Sequence, residues 1–178
     1  MSLDFEDLNE LQRGYMLEEL DYDLERGSLY LSKRLNERGI ELYPQLLRMA
    51  IKEGNDATFA HELLMKNCLK SKEERTVKGK AVVAKVPSNA HTLLAEGEFN
   101  RFYIRGMCLG ALKDGSCKLE IYRAKQVSSP RQESEAKIGQ KIDPDSVLND
   151  LRVNVGTDTV FGLPPGPNSG LSVRKIKN

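Results

Sequence analysis

Residues 89–124, NAHTLLAEGEFNRFYIRGMCLGALKDGSCKLEIYRA, carry the pattern that we expect to form the centre of the fold. Ser88 can cap a helix that begins at Asn89, and apolar residues at helical spacing continue as far as Gly115. Gly97 marks a potential break in that helix. The alternation from Lys118 to Ala124 is typical of a half-buried strand. The segment therefore predicts a central helix followed by a strand.

Two glycines, Gly106 and Gly110, stand four residues apart inside the predicted central helix. Glycine in a helix interior costs about 1 kcal/mol relative to alanine, so a compensating contact is expected. We predict that another element packs closely against this face. The glycines of the chain do not follow either nucleotide-binding pattern, and no phosphate-binding loop is predicted.

The region before the central helix, residues 1–75, has the pattern of an acidic helical region. An amphipathic helix is predicted from Asp4, as its cap, to Arg26, with Gly27 ending it. Three more helices are predicted from similar signals. They are a brief helix from Ser32 to Gly39, one opened by Pro44 and stopped by Gly54, and one capped by Asn55 or Asp56 that runs on to Arg75.

The remainder predicts a smaller α+β unit, residues 76–155, and a Gly/Pro-rich tail, residues 156–178. Val77 to Val86 predicts a strand or a basic arm, and short helices are expected to start at Ser129 and Asp143. Residues 156–170 are too rich in glycine and proline for a helix, and residues 171–176 predict an edge strand or a basic tail. The expected fold class is α+β, predominantly helical, with few short strands.

The net charge of +1 conceals a strong segregation along the chain. Residues 1–30 carry nine acids and two bases, a net charge of −7, so the remainder carries +8. This predicts an acidic helix lying across a basic body, or two faces that recognise oppositely charged neighbours. A solvated acidic face is the other explanation.

Composition indicates a cytoplasmic protein, or one assembled into a particle made in the cytoplasm. Cys68, Cys108 and Cys117 show no close pairing, which favours reduced thiols. No apolar run approaches the roughly 20 residues of a membrane span, and the acidic N-terminus differs from a secretory signal. We expect no membrane association, no metal and no cofactor.

Two pairs of residues have part of the spacing of a catalytic motif, but neither pair completes the motif. His61 and Glu62 begin a zinc-protease pattern, but the second histidine is replaced by Met65. Glu135 and Lys137 have the spacing of a metal-dependent nuclease, but they fall in a stretch predicted to be helical. No catalytic residue is predicted, although a site assembled from dispersed residues stays open.

Arginines and aromatic residues cluster in the central helix. Arg101 and Arg105 lie one helical turn apart beside Tyr103, and Arg123 on the following strand could point toward them. We predict an interface or anion-binding site at these four residues, since such groups dominate protein interfaces. Internal pairing with Glu98, Glu120 or the acidic first helix is the alternative.

The sequence thus favours a non-enzymatic assembly or interaction protein, such as a structural subunit of a virion or multiprotein complex. It would bind a protein partner or a second copy of itself. The alternative is a protein that binds or processes nucleic acid through a local basic patch. The candidate contacts for nucleic acid are Lys78, Lys80, Lys85, Arg174, Lys175 and Lys177.

Overall fold

The computed structural model describes residues 2–115, 118–156 and 170–176, which fold as a predominantly helical α+β protein. The predicted fold class is therefore confirmed. The helices in these ranges are α1 (Glu10–Arg26), α2 (Glu37–Glu53), α3 (Asp56–Met65), α4 (Ala90–Lys113), α5 (Gln132–Glu135) and α6 (Pro144–Val153). The strands are β1 (Lys72–Val77), β2 (Lys80–Lys85), β3 (Leu119–Arg123), β4 (Lys141–Ile142) and β5 (Leu171–Lys175).

Helix α4 is the central element, with α1, α3, α6 and β5 packed around it. It runs through Gly97 without a break, so the predicted central helix is confirmed and the break is not. The predicted cap is wrong, because Asn89 occupies the N-cap position and no side chain caps this end. A Cβ atom at Gly106 would lie 2.9 Å from Met16 Cγ, and one at Gly110 would lie 2.8 Å from the Tyr15 ring. The two glycines therefore let α1 approach closely, as predicted.

Strand β3 is the middle of a three-stranded antiparallel sheet with the order β4-β3-β5. Ile121 faces Val173 in the β3–β5 register, and both side chains are buried. The predicted edge strand at residues 171–176 is thus confirmed. Of the preceding Gly/Pro-rich stretch, residues 157–169 lie outside the described part of the chain.

One hydrophobic core spans the residues before and after position 75. It joins the inner faces of α1, α2 and α3 to α4, α6 and the three-stranded sheet. Its largest members are Tyr43, Phe59, Phe99, Phe102, Tyr103, Met16, Leu20, Leu47 and Ile51. None of the helices in the described ranges is long and apolar enough to cross a membrane.

The predicted start of the first helix at Asp4 is wrong, because α1 begins after Asn9. The side chain of Asn9 accepts a hydrogen bond from Gln12 N at 3.0 Å, which is the geometry of a helix N-cap. Asp4 N instead donates to Ala124 O at 2.7 Å, and Leu3 N donates to Asp56 Oδ2 at 3.1 Å. These long-range bonds hold residues 3 and 4 against the body and outside the helix.

The predicted helix boundaries at Gly39 and Pro44 are also wrong, since both residues lie inside α2. Asn36 caps this helix by accepting a hydrogen bond from Gly39 N at 2.7 Å. A Cβ at position 39 would clash with the backbone oxygen of Cys68. Gly39 therefore serves close packing against another segment and does not end the helix.

The helix expected to reach Arg75 ends at Met65, and the chain enters β1 at Lys72. Strands β1 and β2 form a separate two-stranded hairpin, residues 72–85, which we call the arm. The predicted helix at Asp143 is confirmed, because Asp143 caps α6 and Pro144 occupies its first turn. The helix expected to start at Ser129 is the short α5, but its predicted start is wrong, because α5 begins at Gln132 after Arg131 and has no side-chain cap.

Candidate interaction site

Arg105 lies at the centre of a buried ionic cluster. Its side chain has no exposed surface, and its guanidinium donates to both carboxylate oxygens of Asp23, at 2.6 and 2.9 Å. Its Nε also donates to Glu19 Oε2 at 2.9 Å, and Arg152 Nη2 donates to Glu19 Oε1 at 2.5 Å. Of the two predicted environments for Arg105, internal pairing with the acidic first helix is the one that the structure shows.

Arg101 and Tyr103 are likewise part of the interior. Arg101 is 3% exposed, lies 3.5 Å from Glu98 and donates to the carbonyls of Leu151 and Asn154. Tyr103 packs on the Phe5 ring, with 4.6 Å between the ring centroids. These two residues and Arg105 are therefore not presented to solvent, because α1 and α6 cover this part of α4.

Three more of the predicted residues are partly buried and form ion pairs within the chain. Arg123 pairs with Glu135, and Lys175 Nζ lies 2.8 Å from Asp114 Oδ2. Arg174 contacts Glu120 at 2.6 Å and Glu6 at 2.7 Å. Each of the three thus has its own acidic partner within the described chain. Lys177 lies outside the described residues.

Most of the acidic excess of the N-terminal segment is matched by bases of the body. Beside the Glu19 and Asp23 contacts, Glu18 pairs with Lys113 at 2.6 Å, and Asp21 pairs with Arg48. This arrangement corresponds to the predicted acidic helix lying across a basic body. The segregated charge is therefore largely satisfied inside the chain, which leaves the arm as a distinct basic feature.

The arm is the element that the rest of the described chain covers least. Of its strand residues only Glu73 and Ala84 are partly buried, and Val77, Val82 and Val83 are 51%, 44% and 64% exposed. Its remaining polar surface is mainly basic, with a net charge of +3 from five bases and two acids. The bases are Lys72, Arg75, Lys78, Lys80 and Lys85.

A salt bridge fastens the base of the arm to the body. Arg34 donates to both carboxylate oxygens of Glu73, at 2.6 and 3.1 Å, and Arg75 Nε donates to the same group at 2.6 Å. These hydrogen bonds lower the pKa of Glu73 to about 2, and the largest contribution comes from Arg34, followed by Arg75. The contact is therefore present at neutral pH, and it is lost only as the pH falls from Glu73's ordinary value through about 2.

Two further polar groups are buried, one on α2 and one on α4. The hydroxyl of Tyr43 and one carboxylate oxygen of Glu98 have no hydrogen-bond partner among the described residues. Burial raises the pKa of Glu98, and the neighbouring Arg101 guanidinium opposes that rise. A buried carboxyl with a raised pKa can mark a functional site, but Glu98 belongs to no group of three or more potential metal ligands in the described ranges.

We expect Glu98→Gln to stabilise the protein increasingly as the pH rises. The pKa of Glu98 is higher in the folded than in the unfolded state, so the unfolded state ionises first as the pH rises. Wild-type stability therefore falls as the pH rises above the unfolded pKa, and levels off above the folded pKa. Below the unfolded pKa both states are protonated and the effect vanishes. Urea unfolding of wild type and variant between about pH 4 and 7 measures it.

The control for this series is Glu133→Gln, which removes a carboxylate at an exposed position. It reports the effect of one surface charge over the same pH range. A Glu98→Gln difference that stays constant or shrinks toward pH 7 would contradict the expected linkage.

The described residues contain no group of three or more His, Cys, Asp or Glu side chains arranged to hold a metal ion. Cys68 and Cys108 are buried thiols, and Cys117 lies outside the described ranges. Glu135, one residue of the nuclease spacing, pairs with Arg123 beside the short α5. The arm is thus the candidate site with the clearest surface chemistry.

No family model, no curated protein and no solved structure matches this chain. The geometry and charge of the arm are therefore the features that bear on function.

Proposed function

We propose that this chain is a cytoplasmic, non-enzymatic interaction protein, and that the arm is its partner-binding element. The observation that carries the proposal is the exposure of both faces of the arm, with three valines open to solvent. A two-stranded hairpin is at best marginally stable in water unless something packs against it. A partner that covers the valines would supply the missing apolar burial, at about 25 cal/mol per Å².

A second candidate function, binding of nucleic acid, is supported by Lys78, Lys80 and Lys85, which are all exposed on the same ribbon. Two-stranded ribbons of this kind can enter a nucleic-acid groove. The acids Glu73 and Glu74 and the exposed valines fit a protein surface better than a phosphate backbone. A protein partner is therefore favoured, and crosslinking with nuclease treatment distinguishes it from nucleic acid.

Photo-crosslinking from the arm tests the proposal. A benzophenone amino acid is introduced at Val83 on the arm or, as a matched control, at Met49, an exposed apolar position on α2. In the cells that make the protein, we expect Val83 to give a discrete protein adduct that survives nuclease treatment. We expect Met49 to give none.

Equal adducts at both positions, or none at either, would reject the arm as the binding element. An adduct removed by nuclease would support the nucleic-acid function instead. Light scattering during size exclusion, at about 50 and 500 mM salt with mixed nucleic acid, provides the independent check, because phosphate contacts weaken strongly over that range. A mass increase confined to low salt would point to nucleic acid.

A further inference from the structure

Each strand of the arm has an inner edge, which bonds to the other strand of the hairpin, and an outer edge, which faces away from it. Lys78 and Gly79 both have positive φ, 49° and 78°, which is the signature of a two-residue type I′ turn. Val77 and Lys80 flank that turn as a paired position, and Val86 N donates to Ser71 O at 3.0 Å at the other end. Hydrogen-bonded positions recur at every second residue of an antiparallel pair. The even-numbered residues of β2 therefore bond to β1.

The odd-numbered residues of β2, namely Ala81, Val83 and Lys85, consequently direct their N–H and C=O groups away from β1. The arm is a two-stranded sheet within the described part of the chain, so these groups have no neighbouring strand there. The edge has the sequence KAVVAK, which contains two adjacent β-branched residues and no proline. Such an edge is a template for pairing with a further strand.

We propose that the outer edge of β2 binds an extended acidic segment of a partner protein as a third strand. This inference rests on the proposed function of the arm. Main-chain hydrogen bonds from Ala81, Val83 and Lys85 would hold the added strand, whatever its side chains. The charge of the arm then selects the occupant, because lysines stand at both ends of β2 and Lys72 lies opposite Lys85 in the register.

Carboxylates on the added strand would therefore lie near Lys80 and Lys85, where opposite charges across a sheet are favourable. The edge of β1 is less suited to this role, because Glu74 is one of its outward-directed residues. Val82 and Val83 point to opposite faces of the ribbon. Apolar side chains of the partner can therefore pack against one valine on each face.

A second copy of this chain fits the edge less well. Symmetric pairing of two β2 edges would bring two arms of charge +3 together, and like charges on neighbouring strands are destabilising. The chain's own acidic N-terminal segment, residues 4–7, is held on the body, since Tyr122 donates to Asp4 O at 2.6 Å and Glu6 pairs with Arg174. The favoured occupant is thus a different protein.

The test uses the full chain and a synthetic peptide of eight alternating glutamate and valine residues with blocked ends. Calorimetric titration at about 50 mM salt measures binding, and amide hydrogen exchange locates it. We expect saturable binding with slowed exchange at the amides of Ala81, Val83 and Lys85. The amide of Val82 already bonds to β1 and should change less.

Two matched controls separate charge from backbone pairing. The double variant Lys80→Glu/Lys85→Glu alters two exposed side chains and should weaken binding on the order of tenfold. A peptide in which lysine replaces glutamate should bind more weakly by a similar factor. Methylating alternate amide nitrogens of the acidic peptide removes its strand hydrogen bonds and should abolish binding.

The inference is overturned if the acidic peptide does not bind at about 1 mM, or if the lysine peptide binds equally well. It is also overturned if binding leaves exchange at Ala81, Val83 and Lys85 unchanged, or if a salt-resistant dimer shows that a second copy occupies the edge. Val83 adducts without peptide binding would reject this inference and leave the proposed function standing. Absence of adducts would reject the proposed function itself.

Discussion

Arg105→Met is expected to lower the free energy of unfolding by about 3 to 5 kcal/mol, the largest single effect that we anticipate. Asp23 and Glu19 are 2% and 1% exposed, and the substitution would remove the guanidinium that bonds to both. Arg152 would still neutralise Glu19, but Asp23 would lose its bidentate partner. The cost is that of a buried carboxylate without a cation. Urea unfolding at pH 7, followed by circular dichroism, measures it.

A double-mutant cycle separates the lost pairing from lost packing, since Arg105 also lies 5.0 Å from the centre of the Phe102 ring. Arg105→Met/Asp23→Leu removes both charges together, and we expect it to be markedly more stable than the sum of the single changes predicts. Arg105→Lys keeps the charge but not the fork of donors, and should fall between wild type and Arg105→Met. A loss below about 1 kcal/mol for Arg105→Met would contradict the assigned role.

The environment of Arg105 shows what sequence could and could not supply for the candidate site. The acidic first helix and the arginines of the central helix were both visible as patterns, and their internal pairing was one of two explanations. Helical spacing fixes the face of each helix but not the rotation of one helix against another. The approach of α1 to α4 at Gly106 and Gly110 sets that rotation and brings Glu19 and Asp23 to Arg105.

The parts of the fold that were predicted correctly carry strong local signals. Asp143 and Pro144 begin α6 by the capping chemistry that their sequence indicates, and the alternation of residues 118–124 forms β3. The sequence does not predict the hairpin turn of the arm. One reason is that the turn contains Lys78 with φ of 49°, a conformation that lysine seldom adopts. Lysine and glutamate in residues 70–75 also have better helix than strand propensity.

The errors at the N-terminus have a different cause. Phe5 and Leu8 continue the apolar spacing of α1, yet they pack on the core from the non-helical segment before Asn9. An apolar residue can reach the core from a helix or from a non-helical segment. The sequence pattern is the same in both cases. The contact that decides between them, Asp4 N to Ala124 O, joins residues 120 positions apart.

Opposite stability changes are expected from the same substitution at two glycines of α4. Gly106→Ala should destabilise the protein by about 1 to 3 kcal/mol through overpacking. The new Cβ would lie 2.9 Å from Met16 Cγ and 3.0 Å from Met16 N, and Met16 is fully buried. Gln12, 2.7 Å away, cannot swing aside freely, because its amide donates to Tyr103 O at 3.0 Å.

Gly97→Ala is the matched control in the same helix, because a Cβ there meets no atom within 4 Å. It should stabilise the protein by about 0.5 to 1 kcal/mol, the ordinary helix-propensity difference between the two residues. The contrast in sign isolates the close approach of α1 from the intrinsic cost of glycine. If both variants were stabilised equally in urea unfolding, α1 would have to sit farther from α4, and the geometry that buries Arg105 would need the same revision.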